Sequence, residues 1–549
     1  MVAITALWIA SLVMWSVLLP TFRSADESRH VSAAYYQLET GQWPGFQQMP
    51  QLPWVVGATP PGDEGYQPLP ADTPAGTAAS FADRREAPGA LSGGPVNTIG
   101  QHPPLYYWLL GNVLTAAPQD VPATATVWTL RLSSVALLGP LPLLLAHGAR
   151  RLGGNRAAVI TAAALPLAVP QLGALGGAVN NDNLLIAAAA ATTVLTVHVL
   201  TGDLRYRIAA LTGLALAIAL LSKAFGLVLL PLVVCAYLVA GWRYRQLLPA
   251  LRGLMLAAAV AALGGWWWVS NLLRYGTLQP AGHSPPRADG PLGVLEALPG
   301  YVTQAATLIP MRFWATLSIK RGDLPPPFPY WLTIALFVLF VAALLAIPIL
   351  SRRFAGLRAL DGAVLILPFF AALAVVIVGT WGLYRETGLA RGLQGRYLYV
   401  GLAGAFLVLA LAVRFLALRY QRLVPITVLL GGLVFLTVSM RKVLGFHWGY
   451  RDSTLGDGIA VLREWAPVPD VVLALIALGW VAAALWALIE VLPSRALPHS
   501  GGIAPARAKN TRRRGGAGAD ITAGRWPRSP ESAPEPSPES RAAPGRARR

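Results

Sequence analysis

Asp26, Glu27 and His30 fall within five residues of RSADESRH, directly after the first hydrophobic stretch of the chain. If this segment is helical, Asp26 and His30 stand four apart and share a face, so a carboxylate and an imidazole can act together. One use is a general base for an acceptor hydroxyl. Another is a divalent cation held by oxygen and nitrogen ligands, although three groups in one turn do not complete a coordination sphere. Charges are also ordinary where a chain leaves a bilayer. The triplet alone leaves these readings open.

Other reactive or charged groups recur at intervals. His102 opens HPPLYYWLLG, Asp182 sits among Asn180, Asn181 and Asn183 in GGAVNNDNLL, and Lys223 interrupts LLSKAFGLVLLP. Asn and Asp commonly serve turns and helix caps, which accounts for one or two of the four. A lysine between two apolar stretches either snorkels to the surface or holds an anion. Residues 271–330 carry His283, Arg287, Arg312, Lys320 and Arg321; WGLYRETGLARGLQGRYLYV carries Arg385, Arg391 and Arg396; GFHWGYRDSTLGD carries His447, Arg451 and Asp452. Arginine interleaved with Trp and Tyr suits a lipid phosphate beside the face of a sugar ring. Singly, each such residue is equally an interfacial anchor or an ion-pair partner.

The elements that must position these groups are membrane spans. Hydrophobic residues make up 55% of the 549 and charged residues only 13%, with a mean hydropathy of +0.53. Apolar runs near 128–147, 157–172, 184–200, 208–222, 225–240, 253–270, 331–350, 362–380, 397–413, 423–440 and 470–491 follow the opening one. Each is on the scale of a hydrocarbon core about 30 Å thick, so the sequence predicts an all-α polytopic protein of about twelve transmembrane helices. VAITALWIASLVMWSVLLP lacks a basic leader and a small-residue cleavage site, and reads as a retained span. Residues 21–43 read as an amphipathic interfacial helix. The run after Pro103 and Pro104 is short for a crossing and reads as a second interfacial helix. Residues 44–100, rich in Pro, Gly and Ala, read as an outer-loop insertion within a transmembrane domain of residues 1–492. Residues 493–549 read as a disordered basic tail that meets anionic lipid. The single cysteine, Cys235, excludes an internal disulfide and a CxxC metal site.

The net charge of +19 and pI near 10.6 do not indicate nucleic acid, because the arginines sit mainly in short loops and in the tail. Loops holding Arg150, Arg151 and Arg156, Arg205 and Arg207, Arg243 to Arg252, Arg352 to Arg358, and Arg414 to Arg422 fall on one side if HPPLYYWLLG does not cross. By the positive-inside rule that side is the cytoplasm, with both termini. The loops carrying Asp26, Asp182, Lys223, Arg391, Arg396 and Arg451 then face outward, from a multi-pass protein of the cell membrane.

Taken together, Asp26 with Glu27, HPPLYYWLLG, TLRLSSVALLGPLPLLLAHGARRLGG, NNDNLL, LLSKAFGLVLLP and LQGRYLYV resemble the GT-C superfamily of membrane glycosyltransferases. The protein mannosyltransferase-like and aminoarabinose transferase-like branch is the nearest in pattern. The resemblance implies transfer of a sugar, with inversion, from a polyprenyl-phosphate donor to a glycan, lipid or protein acceptor outside. It implies Asp26 as the catalytic residue with Glu27 beside it. By the same motifs His102 and Lys223 fall near the donor phosphate and Asp182 is the acidic residue of the second outer loop; the residues' own chemistry adds His30, Arg391, Arg396 and Arg451 as contacts to the donor phosphate or sugar, and Asp26, Glu27 and His30 as the candidates for a divalent cation. The chain departs from the mannosyltransferases in lacking a sizeable lumenal domain, and from the aminoarabinose enzymes in having His102 where they have lysine. A flippase of lipid-linked sugars is the competing class, but no internal repeat is visible and the charges sit at span ends. A non-catalytic polyprenyl-lipid-binding protein is the third.

Overall fold

The computed structural model describes residues 1–24, 26–57, 80–85, 94–118, 120–280, 286–317, 328–351, 358–449 and 454–492. These belong to one unit, Met1–Pro493. The predicted tail and Arg451 lie outside the described residues.

Among the described residues the regular structure is helical, with β contacts limited to the isolated bridges Pro50 to Val96 and Ser80 to Pro122. Nine helices there are long and apolar enough to cross a membrane: Ala123–Arg151, Asp182–Leu200, Ala224–Arg243, Leu247–Tyr275, Tyr330–Leu350, Ala359–Thr387, Gly395–Phe415, Leu418–His447 and Asp470–Val491. A tenth segment, Arg156–Ala168 with Pro170–Gly176, is bent by 71°. Pro166 and Pro170 account for the break, since neither supplies a backbone N–H to the ladder. The apolar helices Val2–Leu18 and Tyr206–Leu220 are shorter, at 17 and 15 residues.

Val2–Leu18 is the inner post of the bundle. Trp8 and Trp15 on it are fully buried, and Trp8 Nε1 donates to the Leu138 carbonyl at 2.9 Å. Beyond it, Glu27–Thr40 and Leu105–Ala116 form the two short helices expected at the interface, packed on each other. The described parts of the 44–100 insertion fold onto the first of these. Leu52 N donates to Ser32 Oγ at 2.8 Å, Asn97 Nδ2 donates to the Arg29 carbonyl at 2.9 Å, and Trp54 and Phe81 meet Tyr35 edge-on. The sequence hides this because Pro and Gly set the local composition while isolated aromatics do the packing.

Alternate loops gather at opposite ends. Away from Asp26, Arg243 joins Asp361 at 2.5 Å and the Leu200 carbonyl at 3.0 Å, Arg151 reaches Thr201 at 2.9 Å, Arg414 reaches the Gly153 carbonyl at 2.8 Å, and Asn155 reaches Gln421 at 2.6 Å. At the Asp26 end the links around 178–183, 221–225 and 394–397 converge.

Candidate active site

Asp26 is the N-cap of Glu27–Thr40 and holds a left-handed backbone, φ 55°, which a short polar side chain tolerates better than most. Its carboxylate lies 3.3 Å from Arg396 Nη2 and 3.6 Å from Arg29 Nη1. Desolvation pushes the Asp26 carboxyl up, but the charges around it, Arg396 foremost, outweigh burial and hold it below its ordinary 3.8. It is an ionised, half-buried base at neutral pH.

Glu27 points elsewhere. Arg131 meets it in a two-pronged pair, Nε to Oε1 at 2.8 Å and Nη2 to Oε2 at 2.7 Å, and the backbone N–H groups of Phe22 and Val179 complete its coordination at 2.9 and 3.0 Å. Arg131 in turn donates to the carbonyls of Ser16, Leu19 and Pro20 at the end of the first helix. One buried pair therefore joins the first helix, the Ala123–Leu138 helix and the link leading to Asp182. The sequence suggested two carboxylates side by side on one site; the structure turns the second into the fastening that holds the first. Consequently Asp26, Glu27 and His30 do not converge on a cation, and among the described residues no group of three or more His, Cys, Asp or Glu does.

The Asn-rich link divides its labour. Asn180 Oδ1 accepts from Asp182 N at 2.9 Å in an Asx turn, Asn183 Nδ2 ties back to the Leu175 and Ala178 carbonyls at 3.0 Å, and Asn181 Nδ2 reaches across to the Ser222 carbonyl at 3.1 Å. These bonds aim Asp182 at Lys223, whose Nζ lies 2.6 Å from Oδ1, while Oδ2 is 3.7 Å from Arg396 Nε. Both cations also lie by Tyr397, Lys223 Nζ 4.7 Å and Arg396 Cζ 5.7 Å from the ring centroid, and the Phe225 ring packs on it with centroids 4.7 Å apart. Lys223 and Arg396 are both more than nine-tenths buried.

His30 Nδ1 pairs with the Tyr107 hydroxyl at 2.9 Å, and the two rings stack 5.9 Å apart. Trp43 continues the stack on Tyr107 at 4.7 Å and donates from Nε1 to the His102 carbonyl at 3.0 Å. Burial lowers the His30 pKa to about 3 and takes that of His102 well below 6.5, so both imidazoles are neutral at physiological pH.

Asp26, His30, His102, Lys223 and Arg396 line one cavity of about 150 Å³, together with Thr98, Ile99, Gln101, Asn180, Asn181, Phe225, Gln279 and Tyr397. Of the residues singled out in the sequence, Asp182 stands behind this lining as the partner of both cations, Glu27 lies at the Arg131 fastening, and Arg391 is exposed and does not line the space. Arg29, Arg131, Tyr107 and Tyr397 were not singled out. Arg131 had a visible signal, a lone arginine inside an apolar span, which by itself demands a buried partner. The aromatic residues had none, since Tyr and Trp are routine at membrane interfaces.

The fold is similar to that of several solved structures. ArnT from Cupriavidus metallidurans bound to undecaprenyl phosphate matches with 15% identity over 87% of this chain and 75% of that one, TM-score 0.41. An Archaeoglobus fulgidus oligosaccharyltransferase in complex with zinc and sulfate matches with 15% identity over 86% of this chain and 56% of that one, TM-score 0.40. The archaeal oligosaccharyltransferase AglB from the same organism, in complex with an inhibitory peptide and a dolichol-phosphate, matches with 14% identity over 88% and 56%, TM-score 0.37. No curated protein matches the chain. The family model described as "Predicted membrane protein (DUF2142)" matches residues 9–402, and the chain belongs to that family.

Proposed function

We propose that the protein transfers a sugar from a polyprenyl-phosphate donor to an acceptor hydroxyl or amide at the extracytoplasmic face of the membrane, with inversion at the anomeric carbon. The observation that carries this reading is the cavity at one end of the helix bundle, where an ionised aspartate, Asp26, shares Arg396 with Asp182 and faces Lys223 across the same small space. A glycosyl phosphate is already activated, so the protein needs a base, positive charge for the departing phosphate and exclusion of water.

In the proposed step Asp26 takes the acceptor proton while the acceptor atom attacks the anomeric carbon from the face opposite the phosphate. The bond between that carbon and the phosphate oxygen breaks with its electron pair, and the added negative charge falls beside Lys223 and Arg396. Asp182 orients both cations, and Lys223 retains donors beyond the one it gives Asp182. Glu27 and Arg131 hold the loop in place and take no part in proton transfer.

Asp26→Asn keeps the size of the base and removes its function, so transfer should fall by at least about a hundred-fold while donor binding changes much less. The substrate is named by mass spectrometry of envelope glycans and polyprenyl-phosphate sugars in cells with the wild-type protein, with Asp26→Asn and with none. Accumulation of one lipid-linked sugar in the last two supports the reading; unchanged glycans and carriers in all three would sink it.

A further inference from the structure

Two neutral side chains that line the cavity each carry a buried polar atom with no hydrogen-bond partner; the charged Arg396 Nε also has none, but it faces Asp182 Oδ2 at 3.7 Å. Asn181 is fully buried, and its Nδ2 bond to the Ser222 carbonyl fixes which way the amide faces, leaving Oδ1 unpaired. His102 is 5% exposed, its backbone is held by Ile99 and Trp43, and its Nδ1 is likewise unpaired. Both side chains line the space shared by Asp26, Lys223 and Arg396. Buried polar groups are nearly always satisfied, so two such atoms on one cavity mark where a ligand's own polar groups belong.

Resting on the transfer function proposed above, we infer that Asn181 and His102 form a hydroxyl-recognition subsite and that the donor's sugar is an uncharged, hydroxylated ring. An amide oxygen only accepts, so it needs a donor, which a sugar hydroxyl supplies and a phosphate oxygen does not. His102, kept neutral by burial, has no charge to give a phosphate. A carboxylate on the sugar would set acceptor against acceptor at Asn181. An ammonium on the sugar would face Lys223 and Arg396, while both aspartates are already paired with cations. Sites built to hydrogen-bond a hydroxyl discriminate strongly, because the wrong ligand leaves them buried and unpaired.

The test measures binding to the full chain in nanodiscs of undecaprenyl phosphate alone and of the same carrier bearing mannose, glucose, galactose, glucuronic acid or 4-amino-4-deoxyarabinose. At least one neutral hexose should tighten binding over the bare carrier by about ten-fold or more, the scale of one or two good hydrogen bonds. His102→Phe should remove most of that gain while bare-carrier affinity stays within about two-fold, which also reports that the variant is folded, and Asn181→Ala, which gives up its bond to Ser222 as well, should weaken the sugar-bearing carrier by more than it weakens the bare one. Failure of the wild type to bind the bare carrier overturns the proposed function itself. Bare-carrier binding with no gain from any neutral hexose, with a larger gain from a charged sugar, or with a gain that survives both substitutions overturns the subsite alone. Loss of the bare carrier in both variants overturns it too, by assigning these residues to the phosphate or the fold.

Discussion

Asp26 and Glu27 are neighbours in sequence with opposite fates, decided by what each carboxylate meets. Glu27 is saturated by Arg131 and two backbone donors in a site with no exposure. Removing one member of such a pair strands a buried charge and costs about 3–5 kcal/mol. Glu27→Gln should therefore lower the thermal unfolding temperature and the yield of folded protein, whereas Asp26→Asn should leave both nearly unchanged and abolish transfer. A Glu27→Gln protein as stable as wild type would remove the fastening role. For the cations, Lys223→Ala and Arg396→Ala should each weaken donor binding by about ten- to a hundred-fold, since a charge-assisted bond contributes about 1.5–3 kcal/mol. Arg391→Ala, which alters an exposed residue off the cavity, should do far less; equal effects of all three would reduce them to general surface charge. The titrations have a definite sign. His30 is neutral when folded, with a pKa near 3 against 6.5 when unfolded, so the unfolded chain binds the extra proton first. Stability is whole above pH 6.5 and declines as pH falls from there toward 3; His30→Gln should flatten that decline in thermal unfolding measured from pH 7.5 to 5. Asp26, with its lowered pKa, stays ionised across the same window. Its charge as a base should not limit transfer there.

At the scale of elements, the segment that carries Arg396 reaches the site because small residues let it lie against its neighbours' backbones. A methyl group at Gly404 would come within 1.9 Å of the Leu365 carbonyl, and one at Gly395 within 2.2 Å of the Ile309 carbonyl. These approaches press Gly395–Phe415 onto the helices Ala359–Thr387 and Val294–Trp314, and so set how far Arg396 extends toward Asp26. Gly404→Ala should force the helices apart, lowering both thermal stability and donor affinity, while Gly431→Ala, with open space around its added carbon, should change neither. Retention of full donor affinity by Gly404→Ala would show that Arg396 is placed by other contacts. This part of the design was only half legible in the sequence. Apolar runs and the two interfacial helices could be read because hydrophobic length is a direct consequence of the bilayer. The bend at Pro166 and Pro170 divided a run that reads as continuous, and nothing in the order of residues says which glycine meets which carbonyl. For the site, charges stranded among apolar residues pointed to Asp26, Asp182, Lys223 and Arg396, whereas the turning away of Glu27 depends on Arg131, more than a hundred positions distant.

At the scale of the whole molecule, the arrangement of loops carries the orientation. The arginine-rich links at 150–156, 200–205, 243 and 414–421 are tied to one another at the end of the bundle away from Asp26, as alternating spans require. Positive charge in short loops resists translocation, so this end should be cytoplasmic and the cavity extracytoplasmic. The helix Leu247–Tyr275 offers a direct test, because 29 residues at about 1.5 Å each exceed a hydrocarbon core of about 30 Å and deliver both ends to water. Gln246 precedes this helix and is exposed, and Asp289, its side chain 88% exposed, follows it in the same link as the Gln279 that lines the cavity. In a Cys235→Ala background, Asp289→Cys should react with an impermeant thiol reagent applied outside intact cells, and Gln246→Cys should react only after the membrane is opened. Charge at the cytoplasmic end should also be decisive for insertion, so replacing Arg150, Arg151 and Arg156 together by Gln should reduce the contrast between the two labels. Labelling of Gln246→Cys and not Asp289→Cys from outside would invert the protein, place Asp26 in the cytoplasm and require the sugar to be transferred there.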